Sequence, residues 1–272
     1  MPRFKLTIEY AGTRYRGWQI QKNATTVQGE IDRAVRGVTG RVDFELYGSG
    51  RTDAGVHALG QVAHLDVATA LPAAALRDQL NAALPDDINI LDAVQVPHRF
   101  HARYDAVARR YLYQIARRRT ALDEKFMWWV REPLDVAAMR AAAQAFVGMR
   151  DFRSFSAAGD REDEAPPSTL VLVDQLEILE ERDLLLIRVQ GSHFLWKMVR
   201  RMVGVLIEIG RGALPPDAVA TMLAQGSSAP ARLTAPPVGL FLEKVFYDGD
   251  VDSASTGRPP TRKPRTRRTT SS

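Results

Sequence analysis

The sequence contains no cysteine among its 272 residues. This absence excludes disulfide bonds and metal sites built on thiolates, and it permits a reducing compartment. The sequence also has no apolar run near the roughly 20 residues that a membrane-spanning helix needs. Lys5 and Glu9 interrupt the apolar residues at the N-terminus, so no signal-peptide pattern is recognised there. We therefore expect a cytoplasmic protein that does not associate with a membrane.

Candidate metal ligands are scarce. Histidine occurs five times, at His57, His64, His98, His101 and His193. None of them has the i,i+4 partner and adjacent glutamate of a helical zinc motif, and no segment has the carboxylate spacing of a metal-binding loop. The sequence therefore predicts no metal site.

The positive charge of the chain is concentrated at one end. The net charge is +5, from 37 basic and 32 acidic residues. Residues 257–272 hold six of the basic residues and no acidic one, so the rest of the chain has 31 basic against 32 acidic residues. A nucleic-acid partner must therefore be argued from local clusters of charge and not from the total.

Hydrophobic periodicity predicts a mixture of strands and helices. Strands are predicted at 4–10, 42–46, 62–67, 87–96, 106–117, 170–179, 184–190 and 240–247. Helices are predicted at 26–37 (with Thr25 as N-cap), 72–84, 135–147, 194–209 and 217–224. A strand-helix-strand-strand order recurs in each half, which indicates two α+β units with mainly antiparallel sheets. We place them at 1–105 and 106–248, followed by a disordered basic tail at 249–272.

The stretch GSGRTDAGVHALGQV, at positions 48–62, combines an arginine, a hydroxyl and a carboxylate with four glycines. Turn statistics favour a structural role for Asp53 in a glycine-rich hairpin. The alternative is a nucleophile or general base. Arg51, two residues away, would favour the ionised carboxylate, which attacks better than it abstracts protons. An aspartic-protease site is excluded, because that chemistry needs a second matching aspartate loop and the sequence contains none.

Two segments interleave basic and aromatic residues. In ARRYLYQIARRR, a strand would place Arg109 and Tyr111 on one face and Arg110 on the other. The segment TRYRGWQ, which contains Arg14, repeats the pattern. Such segments could bind phosphates and stack a base, or they could be an ordinary edge strand with tyrosines in the core.

Arg200 stands at the edge of the polar stripe of a predicted helix, FLWKMVRRMVGVLIEIG. It could simply border a solvated face. A half-buried arginine, however, needs a partner, because an unpaired buried charge is costly. Asp53 is a candidate for that partner.

Several motifs together resemble the TruA-type tRNA pseudouridine synthases. They are GWQ, VQGE, GRTDAGVHALGQV, FHARYDAVARRYLYQI, FLWKMVRRMVGVLIEIG and GLFL, in that order along residues 3–248. The resemblance implies two ferredoxin-like or RRM-like halves with a catalytic cleft between them. It also implies a cofactor-free isomerisation of uridine to pseudouridine at positions 38–40 of the tRNA anticodon stem-loop. The enzyme would be a homodimer, with the tRNA spanning both subunits.

The resemblance also assigns roles to residues. Asp53 becomes the catalytic carboxylate, attacking either C6 of the uracil or C1′ of the ribose. Arg200 pairs with Asp53, and Arg51 shapes the site or replaces the flipped base in the stack. Tyr111 packs against the target base, and Leu240 lines the pocket.

The basic residues of the Arg/aromatic segments, Arg14, Arg109 and Arg110, complete the predicted substrate-binding set. In one place the chain departs from the pattern: it reads PPSTLVL where relatives carry a Ser-Pro-x-Arg-like stretch, with Leu170 at about the arginine's place. This departure bears on one RNA contact and not on the chemistry. Two other functions remain open, a noncatalytic RNA-binding module and an aspartate-dependent hydrolase of a small substrate.

Overall fold

The computed structural model describes residues 1–121, 124–157 and 168–250. Nearly all of the predicted basic tail, and most of the acidic loop that precedes residue 168, lie outside these residues. In the part described, no helix is long and apolar enough to cross a membrane.

Ten strands of the described residues join in one sheet. They are β1 (Arg3–Tyr10), β2 (Glu45–Gly48), β3 (His57–Asp66), β4 (Ile88–Val96), β5 (Ala106–Ala116), β6 (Trp128–Trp129), β7 (Gly148–Asp151), β8 (Leu170–Glu181), β9 (Leu184–Gly191) and β10 (Leu240–Tyr247). The main path through the sheet is β4-β1-β3-β10-β5-β9-β8-β7, with β2 paired to β3 and β6 paired to β5. Only β10–β3 and β5–β6 are parallel among these pairs, which confirms the predicted α+β class with a mainly antiparallel sheet.

Helices flank this sheet. They are α1 (Val27–Thr39), α2 (Ala73–Ala83), α3 (Val136–Ala143), α4 (Met198–Gly210), α5 (Ala218–Gln225) and the single turn α6 (Ala229–Arg232). The N-cap of α1 is Thr26, whose hydroxyl accepts a hydrogen bond from the Gly29 amide. The prediction of Thr25 was therefore wrong by one residue. The amide of Gln28 does not close a capping box; it donates instead to the Leu46 carbonyl at 2.9 Å.

The two predicted units share the sheet through β10. This strand pairs antiparallel with β5 along its length, and near its start it pairs in parallel with β3, with Phe241 opposite His57 and Leu242 opposite Ala58. Each half has its own apolar core between sheet and helices, one around Leu6 and Ile31 and the other around Phe146 and Met202. Tyr111 packs against both cores. The junction of the halves is thus a continuous sheet.

The start of α4 differs from the predicted helix at 194–209. Helical hydrogen bonding begins at Met198, because Lys197 has a left-handed backbone with φ of 59°. An L-residue other than glycine seldom adopts this conformation, which a continuous helix cannot contain. Residues 194–197 are therefore an irregular segment between β9 and α4.

Gly204 allows α4 to lie directly against the backbone that precedes β10. A Cβ at this position would collide with the Leu233 carbonyl. One turn earlier in α4, the Arg200 carbonyl accepts a hydrogen bond from the Ala235 amide at 3.0 Å. This contact fixes the side of α4 that carries Arg200.

We expect Gly204→Ala to destabilise the protein, because the added methyl can be accommodated only by moving α4 or the 233–235 backbone. Overpacking of this kind costs about 1–3 kcal/mol. The control is Gly37→Ala in α1, where nothing lies within 4 Å of the new Cβ; there alanine should raise the free energy of unfolding by up to ~1 kcal/mol. Urea unfolding of both variants checks this, and equal stabilities would contradict the close approach at Gly204.

Candidate active site

A cavity of about 390 Å³ opens where the two halves meet. Its walls come from the β2–β3 loop, from β5, from the 193–197 segment with the first turn of α4, and from the start of β10. Six of the predicted site residues line it: Arg51, Asp53, Arg109, Tyr111, Arg200 and Leu240. Two others, Arg14 and Arg110, do not.

Buried polar side chains hold the loop that carries Asp53. The hydroxyl groups of Tyr10 and Thr52 are hydrogen-bonded at 2.8 Å. Gln61, fully buried in β3, donates to the Gly50 carbonyl at 2.9 Å and accepts from the Ser49 hydroxyl at 2.9 Å. Because buried polar groups are costly to leave unpaired, these contacts define the position of the loop.

The glycines of this loop serve different purposes. A Cβ at Gly48 would lie 2.6 Å from the Trp18 indole, so the close approach there is to the protein's own ring. Gly55 has φ of 77°, a conformation that glycine adopts without strain. Gly50 faces open space.

Both carboxylate oxygens of Asp53 receive donors from the C-terminal half. The indole nitrogen of Trp196 donates to Oδ1 at 2.9 Å. The guanidinium of Arg200 lies 3.4 Å from Oδ2, and its Nε donates to the Ala235 carbonyl at 2.7 Å. The Asp53 side chain keeps 27% of its exposure and that of Arg200 keeps 14%. The carboxylate is therefore accessible from the cavity but held on both oxygens.

Apolar side chains form the wall beside Asp53. Tyr111 meets Phe194 edge-on, with ring centroids 5.2 Å apart, and Leu240 and Leu242 of β10 complete this wall. Burial raises the pKa of Tyr111 to about 12, so its phenol stays protonated at neutral pH. This apolar wall and the Asp53 carboxylate line the same cavity.

Arg109 crosslinks the backbone segments around the cavity. Its guanidinium donates to four carbonyls: those of Ser49 (3.3 Å), Arg103 (2.9 Å), Ala106 (3.2 Å) and Ser192 (3.0 Å). Burial lowers its pKa below the ordinary value for arginine. The residue thus ties the start of the Asp53 loop to the end of β9, beside its predicted role in binding substrate.

Positive charge is concentrated around the opening of the cavity. Arg51, Arg103 and Lys197 all line it, and Arg51 and Arg103 are exposed. These cations come from three separate segments, so their clustering could not be read from the sequence. Together they form a positively charged surface suited to phosphates.

The structure places Arg110 and Arg14 away from the cavity. Successive side chains of a strand point to opposite faces, so Arg110 lies on the far face of β5. There it donates to Gln190 at 2.8 Å and stacks over Phe246 at 4.9 Å. Arg14 is exposed in a short 3₁₀ helix and pairs with Asp87 at 3.0 Å. Neither contacts the surface that Asp53 faces.

Trp196 is the main residue that the sequence did not reveal. The sequence predicted that its segment belongs to an amphipathic helix, and this prediction did not direct the indole toward Asp53. The sequence carried no signal for this direction, because the left-handed backbone of Lys197 interrupts the helical spacing between Trp196 and Arg200. In the described ranges, no group of three or more His, Cys, Asp or Glu side chains could hold a metal ion.

Comparison with known proteins gives a consistent result. A family model described as tRNA pseudouridine synthase matches residues 6–105 and 142–248. The tRNA pseudouridine synthase A of Syntrophotalea carbinolica is 45% identical, with 89% of this chain and 95% of that protein covered. The protein of the same name from Geotalea uraniireducens is 43% identical over 91% of this chain and 100% of its own length. That from Nitrobacter winogradskyi is 44% identical over 92% of this chain and 98% of its own length.

Solved structures add less. A chain of a Cbf5–Nop10–Gar1 complex aligns with 76% of this chain and 45% of its own length, at 11% sequence identity. The TM-score of 0.37 is too low to carry an argument. The family model and the relatives, by contrast, each extend over most of the chain. The chain belongs to the tRNA pseudouridine synthase family.

Proposed function

We propose that this protein is a tRNA pseudouridine synthase that acts at positions 38–40 of the anticodon stem-loop, with Asp53 as nucleophile. The observation that carries the proposal is the carboxylate of Asp53 in the cavity, with Arg200 and Trp196 on its two oxygens. Family membership supports the reaction type. The positions in tRNA rest on the motif resemblance alone.

The reaction requires no external reagent. The bond between N1 of uracil and C1′ of the ribose breaks, and a bond between C5 and C1′ forms. The C5 hydrogen leaves as a proton and N1 gains a proton, so no electrons are gained or lost. We therefore propose that the protein uses neither a metal nor an organic cofactor.

Asp53 starts the reaction by giving an oxygen lone pair to carbon, at either C1′ or C6. Attack at C1′ sends the electron pair of the C1′–N1 bond to the uracil, and attack at C6 sends the C5–C6 π pair toward O4. Arg200 holds the anion in place before attack. Because the ion pair of Asp53 and Arg200 is partly shielded from water, the attraction between the two side chains is stronger than it would be in bulk solvent.

The cavity accepts a base only if the nucleotide leaves the helical stack. At about 390 Å³ it lies in the usual range for ligand pockets, and enzymes that act on a base commonly extrude it. The extruded uracil would pack on Tyr111 and Leu240. Arg51, exposed at the cavity opening, would contact the RNA or fill the gap in the stack, and the neighbouring cations would bind its phosphates.

A homodimer in the cytoplasm completes the proposal. Outside the C-terminal tail the chain has almost equal numbers of basic and acidic residues, so one copy has little excess positive charge for a long RNA. Two copies can align their basic cavity surfaces along one tRNA. The absence of cysteine suits the reducing interior of a cell.

Asp53→Asn is expected to lose at least ~10³-fold in turnover, because the amide is a poor nucleophile. Affinity for tRNA should stay within a few-fold, since the isosteric amide keeps the cavity shape, and it should weaken steeply with salt. Tritium release from C5-labelled uridine in tRNA measures turnover, and filter binding measures affinity. The control is Asp43→Asn, at an exposed position. Retained turnover in Asp53→Asn would remove the catalytic assignment. If the wild-type protein bound tRNA weakly and without dependence on salt, the hydrolase of a small substrate would be favoured instead.

Arg109→Met and Arg110→Met test the two faces of β5. The first substitution leaves four carbonyls around the cavity without their donor, so single-turnover rates should fall about 10-fold or more, in line with the cost of unpaired buried groups. The second breaks contacts on the far face and should lower stability while rates stay within about two-fold. Equal losses of rate at a temperature where both variants are folded would argue against the crosslinking role of Arg109.

The dimer is tested by light scattering coupled to gel filtration. We expect a mass near twice the 30.2 kDa of the chain, both alone and with tRNA bound after the RNA mass is subtracted. A fully active monomer at the same concentration would contradict this part of the proposal.

A further inference from the structure

The two donors on Asp53 are not equivalent. The Trp196 indole approaches Oδ1 at 2.9 Å, the usual length for an N–H···O bond, whereas Arg200 is 3.4 Å from Oδ2. The guanidinium is also anchored elsewhere, on the Ala235 carbonyl. From this asymmetry we infer that Trp196 is a positioning residue that fixes Oδ1 and leaves Oδ2 as the attacking oxygen. The inference rests on the proposed function of Asp53 as nucleophile.

The indole is itself held in place. Lys197, next along the chain, has a left-handed backbone, which separates Trp196 from α4 and lets the ring turn toward the cavity. The Lys197 ammonium lies over the indole ring at 4.5 Å, a favourable cation–π arrangement. The Trp196 carbonyl accepts a hydrogen bond from the Ala157 amide at 3.1 Å. The direction of the N–H is therefore set before substrate binds.

The difference between the donors matches the change in charge during attack. When the Oδ2 lone pair forms a bond to carbon, the carboxylate becomes a neutral ester and Oδ1 becomes its carbonyl oxygen. A carbonyl oxygen still accepts well from a neutral N–H, so the indole bond survives. The electron pair released on the uracil later forms the C5–C1′ bond, and the pair of the Oδ2–carbon bond returns to Asp53.

The opposite assignment would be less favourable. If Oδ1 attacked, the indole would face the singly bonded ester oxygen, a poorer acceptor than a carbonyl oxygen. The contact of Arg200, at the outer limit of hydrogen-bond length, restrains the lone pairs of Oδ2 less. Trp196 thus prevents rotation of the carboxylate, while Arg200 balances its charge.

Kinetics of Trp196→Phe test this role, because phenylalanine keeps a ring and removes the N–H. We expect kcat to fall about 10- to 100-fold, as for loss of one hydrogen bond to a charged group, with KM for tRNA within about two-fold. Trp196→His, which restores a ring N–H, should recover part of the loss. Trp129→Phe is the matched control: its ring stacks with Arg131 and does not line the cavity, so kcat and KM should be unchanged.

The contact can also be measured without turnover. The chain has four tryptophans, so a ¹H–¹⁵N spectrum of the uniformly labelled protein shows four indole signals. Trp196→Phe identifies one of them, and Asp53→Ala should move that same signal upfield as its carboxylate acceptor is lost. In Trp129→Phe the Trp196 signal should keep its position. An unmoved Trp196 signal in Asp53→Ala would overturn the inference.

Failure of the inference and failure of the proposed function give different results. If Asp53→Asn is inactive while Trp196→Phe keeps full kcat, only the positioning role is overturned. A raised KM with unchanged kcat would make Trp196 a substrate-binding residue and overturn it as well. If the wild-type protein forms no pseudouridine in tRNA, the proposed function fails, whatever the indole signal shows.

Discussion

The candidate site depends on one interaction across the two halves, the contact of the Asp53 carboxylate with Trp196, just before α4, and with Arg200, in the first turn of α4. Asp53 belongs to a loop held by Tyr10 and Gln61 of the N-terminal half, whereas Trp196 and Arg200 belong to the C-terminal half. Neither half alone contains a complete site. A shift of about 1 Å between the halves would break both contacts, since hydrogen bonds weaken steeply beyond their usual length.

Strand β10 supplies the rigidity that this interaction needs. It comes last among the described elements yet lies in the middle of the sheet, between β3 and β5. A Cβ at Gly60 would lie 2.8 Å from the Glu243 carbonyl, so β3 and β10 are as close as their backbones allow. The residues just before β10 also bind α4, through the Ala235 carbonyl that anchors Arg200. The strand β10 thus joins the two halves of the sheet, and the residues that lead into it hold the helix that carries Arg200.

Local periodicity predicted most of this architecture but not the direction of every site residue. The strands follow a period of two, and this alternation along β5 correctly placed Arg109 and Arg110 on opposite faces. Predicting that both bind substrate was inconsistent with it, because only the face with Arg109 lines the cavity. Trp196 was missed because its segment has helical spacing, and only the left-handed Lys197 interrupts the helix. A left-handed conformation of a residue other than glycine leaves no pattern in the sequence. The crosslinking by Arg109 likewise joins residues more than 50 positions apart.

The distribution of charge explains why the site pairs one arginine with a neutral indole. A second guanidinium on Asp53 would hold the anion more tightly and reduce the availability of its lone pairs for attack. Arg109 lines the same cavity, but its donors bind backbone carbonyls, which keeps this cation from turning toward the carboxylate. The indole of Trp196 adds a hydrogen bond without adding charge. Asp53 is thereby held by two donors of which only Arg200 carries a positive charge, an arrangement that suits the nucleophilic role proposed for this carboxylate.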